Sequence, residues 1–463
     1  MEAEAVTTPF GGAENIYRRV GLSFKHLDRE HWRIHCVCTL SFSNIASDDR
    51  VTALRNAWKG LVVEYPRLAV VPNGTTSKSY TVFQSESDIN FWVKETFFVE
   101  TQKLSDEIIR TIGPRDLPSL HFNPSTSEVT LLASHWRMDA VGCMMVLDRL
   151  FTLMAQMSRI SPLAGQEQIN RVSPTLEDAA ECPPMDPSPS STASKTYAEA
   201  WIEDMHKKAI NACGLPYQGD NTTPPGETTQ KNMTFSSSAT TALVKSCKAK
   251  GISVSAAIHA ALAHTVFSFS ADDDTSDYTT VMAVNLRPYL PSPYNGPQHA
   301  VQTYVASIIP TVPRSESFAT SAKALTTSYK TWYSEEFIRS LRWIYAIHAE
   351  KLFNAPKPPA DAPLPKPPSG VTLSSLGVVE SYLRHEYGPK EEETGRGVTV
   401  ERFRFGVTMM TRQMLLYVWT WRGRLTVSAC YNEAYYTEDM AGMVLGRLRG
   451  VLGRELGVQV DVD

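Results

Sequence analysis

The chain has 463 residues, a formal net charge of −4, and 42% hydrophobic against 20% charged residues. A single core stops growing at about 250–300 residues, so this length predicts two lobes. The ordinary globular balance and the lack of a long basic run argue against nucleic acid or an anionic membrane as a partner.

In chain order, the first half of the sequence has the hydrophobic periodicity of an α/β unit. We predict strands at residues 32–42 and 128–134 and helices at residues 48–64 and 142–157. The second of these strands is strongly apolar and partly β-branched, and it ends directly before His135.

The second half again mixes helices and strands, without a fixed repeat. Four alanines give the helix predicted at residues 253–269 a narrow packing surface. Residues 415–421 and 424–431 flank a glycine-containing turn and therefore predict a hairpin. The remaining predicted elements are a helix at 197–212, a strand at 278–283, one or two long helices within 315–354 and a helix at 437–456.

Two stretches rich in proline break this pattern. Residues 160–195 hold prolines among serines and acidic residues, which predicts a linker. Residues 354–370 contain seven prolines in seventeen positions, which is incompatible with packed regular structure. We place an N-terminal lobe at residues 1–190 and a C-terminal lobe at residues 191–463.

The chain start and the cysteines predict a cytoplasmic protein. The first residues lack the basic and apolar regions of a secretory signal, and no run of 18 apolar residues predicts a membrane span. Seven cysteines without regular spacing are typical of reduced thiols. Cys36 and Cys38 fall in an alternating segment, which favours a strand over a metal site.

His135 opens the element His135-Trp136-Arg137-Met138-Asp139 between a predicted strand and a predicted helix. Such loops carry catalytic groups on a rigid scaffold, and histidine titrates in the range that suits proton transfer near neutrality. An alcohol that attacks a thioester must lose a proton, and the leaving thiolate must gain one; a single imidazole can serve both steps. Asp139 could orient the imidazole or brace the loop, and the spacing leaves both open. The same spacing also arises by chance.

This element resembles the His-x-x-x-Asp-Gly signature of the chloramphenicol-acetyltransferase-like superfamily, which includes BAHD acyltransferases and nonribosomal peptide condensation domains. Three more segments resemble this superfamily: residues 54–68, the Asn-x-Arg segment at 284–290 and the closing hairpin at 423–434. Residues 374–380 and 417–422 are similar to the fungal trichothecene 15-O-acetyltransferase family. The resemblance covers nearly the full length.

The sequence departs from the family pattern in two places. Ala140 stands where the signature has glycine, and the next glycine is Gly142. The Asp-Phe-Gly-Trp-Gly element of plant BAHD enzymes is absent, and residues 402–407 occupy the comparable region. These departures argue against a typical plant-type member.

The resemblance implies a fold and a role for each candidate residue. The fold would be two-lobed α/β, with mixed sheets, flanking helices and an active-site tunnel between the lobes. His135 would be the general base, and Asp139 would form an ion pair with Arg287 that braces the loop. The remaining candidates would lie near the thioester as substrate or oxyanion contacts: Ser374, Ser375 and Gly142.

Purely structural alternatives stay open for these residues. Arg287 could be a solvated loop residue, and Ser374 and Ser375 could simply begin a strand.

The resemblance further implies an acyltransferase without a metal or bound cofactor. Acetyl-CoA or another acyl-CoA would be the co-substrate, and an alcohol of fungal secondary metabolism, terpenoid or polyketide, the acceptor. The chain would act as a monomer, by direct transfer without a covalent enzyme intermediate. Two alternatives stay open: the same fold with a carrier-protein-bound donor, or a non-acylating member that cyclises or binds its ligand.

Overall fold

The chain, whose sequence has both strand and helix periodicity, folds into several sheets flanked by helices. The computed structural model describes residues 5–156, 164–210, 212–270, 276–354, 367–388 and 395–463. The strands in these ranges are β1 (Ala5–Pro9), β2 (Ile34–Ser43), β3 (Val71–Asn73), β4 (Ser77–Thr81), β5 (Phe97–Val99), β6 (Ser119–Asn123), β7 (Glu128–Ala133), β8 (Thr228–Thr234), β9 (Tyr278–Thr279), β10 (Met282–Asn285), β11 (Val305–Ile308), β12 (Thr311–Val312), β13 (Val371–Val378), β14 (Glu386–Tyr387), β15 (Gly397–Val407), β16 (Met414–Trp421) and β17 (Arg424–Asn432).

The helices of the same ranges lie before, between and after these strands. They are α1 (Gly12–Gly21), α2 (Ser47–Glu64), α3 (Glu86–Thr96), α4 (Ser105–Thr111), α5 (Ala140–Gln156), α6 (Gly165–Asn170), α7 (Leu176–Ala179), α8 (Pro189–Ile210), α9 (Ser237–Ala249), α10 (Val254–Phe267), α11 (Phe318–Thr331), α12 (Glu335–Arg339), α13 (Leu341–Phe353) and α14 (Glu438–Leu456).

Contacts divide the chain into two units, each assembled from three segments. Unit 1 comprises the described parts of Met1–Ala180, Asn285–Val305 and Val379–Thr408, and unit 2 those of Glu181–Val284, Ala306–Val378 and Met409–Asp463. This division corrects the continuous lobes predicted at residues 1–190 and 191–463. Two later segments join unit 1 through long-range pairing, which no local sequence pattern displays.

Unit 1 is built on a six-stranded sheet with the order β14-β15-β2-β7-β6-β5. Neighbouring strands run antiparallel except β5 and β6, which are parallel. Helices α2 and α5 pack against each other, and α5 also packs on β2 and β15. The predicted strands at 32–42 and 128–134 and helices at 48–64 and 142–157 are confirmed as β2, β7, α2 and α5.

Residues 402–407, which occupy the region of the missing plant element, lie in β15. This strand pairs with β2 over almost the whole length of both strands, with a register shift between Val400 and Arg402. The segment therefore has a structural role as an interior strand of the six-stranded sheet.

Unit 2 is built on a four-stranded sheet with the order β13-β16-β17-β8. The predicted hairpin is confirmed as β16 and β17, and the turn residues Arg422 and Gly423 both have positive φ, as a tight hairpin turn of two residues requires. The alanine-rich helix is confirmed as α10. Its five alanines are buried, and it packs against α11 and α14.

Three predicted elements differ from the structure. The strand predicted at 278–283 is two short strands, β9 and β10, in different two-stranded sheets. Residues 315–354 form three helices, because Ser334 and the turn at Ser340 begin new ones. The third difference is the linker.

The linker prediction for residues 160–195 is wrong in the described part, residues 164–195. Helices α6 and α7 lie there, and Pro189 begins α8, where a first-turn proline breaks no helical hydrogen bond. The buried Gln168 accepts from the Tyr80 hydroxyl at 2.7 Å and from the Phe83 N–H at 3.0 Å. Composition cannot separate polar residues that face water from those that satisfy buried groups. Most of the second proline-rich stretch, residues 355–366, lies outside the described residues.

Candidate active site

The loop that carries His135 begins where β7 ends. A tight turn follows the strand, in which the N–H of Arg137 donates to the carbonyl of Ser134 at 2.9 Å. The Arg137 guanidinium is buried and donates to the carbonyls of Arg67 and Val70, both at 2.7 Å. Because the neighbouring side chains are anchored in unit 1, the loop presents His135 from a fixed backbone.

The Asp139 carboxylate is 2% exposed and accepts four hydrogen bonds. Oδ1 accepts from the N–H of Gly142 at 2.8 Å and from Arg287 at 2.9 Å. Oδ2 accepts from Arg287 at 2.8 Å and from the N–H of Tyr304 at 2.8 Å. Asp139 therefore caps α5 and neutralises a buried cation. None of these bonds goes to His135, so the geometry favours the bracing role over direct orientation of the imidazole.

Arg287, the partner of Asp139, is also fixed by several hydrogen bonds. Its backbone N–H donates to Oδ1 of Asn285 at 3.1 Å, which shapes the turn that directs the side chain inward. The guanidinium also donates to the carbonyls of Ala300 and Gln302 at 3.3 and 3.0 Å. The ion pair predicted between Arg287 and Asp139 is present, and the alternative of a solvated arginine is wrong because Arg287 is 2% exposed.

The imidazole of His135 is half-buried. Nδ1 is buried and is not hydrogen-bonded to any other described residue. Burial lowers the pKa of His135 to about 4, and its own carbonyl and the Asp139 carboxylate offset only part of this shift. The ring is therefore neutral near pH 7 and has a free lone pair that can accept a proton.

Gly142 does not fit its predicted role as a substrate or oxyanion contact. It is buried in the first turn of α5, and its N–H already donates to Asp139. A Cβ at this position would lie 2.3 Å from the carbonyl oxygen of Ala300. The glycine is needed because α5 and the backbone at residue 300 approach too closely for a side chain.

Ser374 and Ser375 lie in the middle of β13 in unit 2, and not at its start. The Ser375 hydroxyl is 2.9 Å from that of Ser255 on α10. Adjacent residues of a strand point to opposite faces, so Ser374 faces away from α10. A role of either serine at the oxyanion stays a prediction.

Sequence reasoning missed two neighbours of His135. The Tyr17 ring stacks on the imidazole, and the Thr303 hydroxyl donates to the His135 carbonyl. Nothing local distinguishes Tyr17 among 18 tyrosines, or Thr303 in a loop 168 residues away. Only the folded chain brings them together.

Within the described ranges, no group of three or more His, Cys, Asp or Glu side chains is placed to hold a metal ion. The same part of the chain contains no helix long and apolar enough to cross a membrane.

Comparison with known proteins places this chain in a family. The chain is 46% identical over 453 residues to the O-acetyltransferase pigM of Monascus ruber, covering 98% of this chain and 86% of that protein. It is 43% identical over 462 residues to the azaphilone biosynthesis cluster protein M of Aspergillus terreus, covering 98% and 96%. The chain belongs to this family of fungal O-acetyltransferases. It is therefore an acyltransferase, and the non-acylating alternative is set aside.

The fold of this acyltransferase matches that of several solved structures. The trichothecene 15-O-acetyltransferase TRI3 of Fusarium sporotrichioides superposes with a TM-score of 0.77 at 16% identity, over 97% of this chain and 94% of that one. Condensation domains share the fold as well. The predicted α/β fold class with mixed sheets and flanking helices is confirmed. No family model matches the acyltransferase.

Arg287→Met is expected to destabilise the acyltransferase by about 3–5 kcal/mol, because it strands the buried Asp139 charge. The double variant with Asp139→Asn should lose less than the sum of the two single changes. Denaturant unfolding measures all three. Arg384→Met, which removes an exposed pair with Asp148, is the control and should cost less than about 1 kcal/mol. Equal losses for the two arginines would contradict the bracing role.

Gly142→Ala is expected to lower the free energy of unfolding by about 1–3 kcal/mol, because the new methyl group collides with the carbonyl of Ala300. Gly446→Ala, in a helix position with no heavy atom within 4 Å, is the matched control and should gain about 0.5–1 kcal/mol. Denaturant unfolding compares the two. A stable Gly142→Ala protein would contradict the close-packing explanation.

Proposed function

We propose that the acyltransferase moves an acetyl group from acetyl-CoA to a hydroxyl of a fungal secondary metabolite, with His135 as general base. The observation that carries this proposal is the state of His135. Its imidazole is neutral near pH 7, its ring stacks on that of Tyr17, and its Nδ1 is not hydrogen-bonded to another described residue. Family membership supports acetyl as the transferred group, because pigM is named an O-acetyltransferase.

The chemistry follows from these groups in two steps. Nε2 of His135 takes the proton of the acceptor hydroxyl while its oxygen attacks the thioester carbonyl. The tetrahedral oxyanion then collapses, the carbon–sulfur bond breaks, and the imidazolium returns the proton to the departing thiolate. The ester and free CoA leave, and no covalent enzyme intermediate forms.

Asp139 and Arg287 have no proton to move in this scheme. All the hydrogen bonds of the Asp139 carboxylate go to groups other than His135, so it supports the loop. Its charge also opposes part of the lowering of the pKa of His135, which favours formation of the imidazolium during attack.

The acceptor we propose is a polyketide alcohol of the azaphilone type. The name of the Aspergillus terreus relative places it in azaphilone biosynthesis, and this chain is 43% identical to it. A terpenoid alcohol is the next candidate. Donor identity, monomeric state and cytoplasmic location stay predictions.

His135→Ala is expected to lower kcat by about 10²–10⁴-fold, because the general base is lost. The assay follows free thiol release from acetyl-CoA with a panel of azaphilone and terpenoid alcohols, and mass spectrometry identifies the acetylated product. All seven cysteines of the enzyme are buried, which keeps the thiol background low.

His264→Ala is the matched control, since His264 is a half-buried histidine on α10 of unit 2. It should keep the activity of the unaltered enzyme. Full activity of His135→Ala would refute the mechanism. If no alcohol leads to thiol release from acetyl-CoA but a carrier-bound acetyl group is transferred, the donor is the carrier-bound group and not acetyl-CoA.

The pH dependence offers a separate test of the lowered pKa. A base with a pKa of about 4 stays neutral down to pH 5.5, so kcat/KM should change less than twofold between pH 7.5 and 5.5. An imidazole with the ordinary pKa of about 6.5 would lose roughly tenfold over this range. Product formation is measured at both values, and the circular dichroism spectrum at pH 5.5 checks that the enzyme stays folded. A tenfold fall in kcat/KM at pH 5.5, in enzyme that is still folded, would contradict the lowered pKa.

A further inference from the structure

Helix α1 places a tyrosine flat against the proposed base. The rings of Tyr17 and His135 are parallel, with 4.2 Å between their centroids and 2° between their planes. The imidazole can rotate about its χ2 bond only by leaving this stack, so the contact holds the plane of the ring. Nδ1 is not hydrogen-bonded to another described residue, so the stack adds to the interaction of the ring with the histidine's own carbonyl.

Thr303 holds the backbone of the same histidine. Its fully buried side chain donates from Oγ1 to the His135 carbonyl at 2.5 Å. The N–H of the next residue, Tyr304, donates to Oδ2 of Asp139 at 2.8 Å. Two consecutive residues of one segment therefore fix both ends of the His135–Asp139 loop.

A buried charge cluster fixes α1 relative to that segment. Glu14, one helical turn before Tyr17, pairs with Arg67 and Lys78. It also accepts from Nε2 of Gln302, the residue before the threonine, at 3.0 Å. Burial alone would raise the pKa of Glu14, but the two cations outweigh burial and lower this pKa to about 2. The charged carboxylate thus ties the helix to the segment at neutral pH.

We propose that Tyr17 and Thr303 are positioning residues for acyl transfer, Tyr17 for the imidazole ring of His135 and Thr303 for its backbone. The inference rests on the proposed function, because these contacts affect the rate only if His135 is the base. Displacement of a catalytic group by about 1 Å can cost ~10²-fold in rate. Loss of either contact therefore lowers kcat and leaves the binding of both substrates unchanged.

Tyr17 is tested by separating its ring from its hydroxyl. Tyr17→Phe keeps the stack and should retain kcat within about twofold. Tyr17→Leu keeps apolar bulk without a flat ring, so kcat should fall about tenfold or more, with KM for acetyl-CoA and for the alcohol unchanged within about twofold. Tyr329→Leu removes an aromatic ring beside His259 in unit 2 and should leave kcat unchanged.

Thr303 is tested by rescue with the conservative variant. Thr303→Ser keeps the hydroxyl and should stay within about threefold of the unaltered enzyme, whereas Thr303→Val should lose about tenfold in kcat. Thr265→Val removes a comparable buried hydrogen bond to a helix carbonyl in unit 2. The melting temperature of Thr265→Val should fall by as much as that of Thr303→Val, but Thr265→Val should keep the activity of the unaltered enzyme.

A spectroscopic measurement reports the ring directly. The ring ¹⁵N resonances of His135 are assigned in histidine-labelled protein by their absence from His135→Ala. They should move in Tyr17→Leu and stay in place in Tyr17→Phe and Tyr329→Leu.

The outcomes separate the two proposals. Unchanged kcat in folded Tyr17→Leu and Thr303→Val, beside an inactive His135→Ala, would overturn the positioning roles alone. A raised KM with unchanged kcat would assign Tyr17 to substrate binding and would also overturn its positioning role. Full activity of His135→Ala would instead overturn the proposed function.

Discussion

The buried negative charge of Asp139 is the constraint on which the candidate site depends. A carboxylate removed from water is tolerated only when every oxygen is hydrogen-bonded and a cation lies close by. Here the first turn of α5, the turn at Arg287 and the backbone of Tyr304 meet that need together. Because these groups come from distant parts of the chain, one charge brings together the segments that surround His135.

The charged and the neutral members of the site have different tasks. The charges of Asp139 and Arg287 are fully engaged with each other and with backbone groups, and they stabilise a loop. His135, four residues before Asp139, stays neutral because it is desolvated and has no direct ion pair. A neutral imidazole on a rigid loop can accept a proton from an alcohol, which a ring held in the cationic form could not do.

Local periodicity was sufficient to predict the strands and helices that carry the loop, since β2, β7, α2 and α5 all have clear apolar patterns. The family resemblance supplied the pairing of Asp139 with Arg287, which spacing alone could not give. The sequence could not reveal long-range pairing, such as β15 alongside β2, or the burial of polar residues such as Gln168 in the assumed linker. It also misassigned Gly142, because a glycine required by close packing looks the same in a sequence as one that contacts substrate.

The assembly of unit 1 from separate segments also determines when the site can form. Asp139 and Arg287 lie 148 residues apart, so at about 5–20 residues per second the ribosome needs roughly 7–30 s to supply the second partner. During this interval Asp139 lacks its partner Arg287, and β2 lacks its neighbouring strand β15. The contacts that brace the loop around His135 are therefore complete only after residues 287–304 have been synthesised.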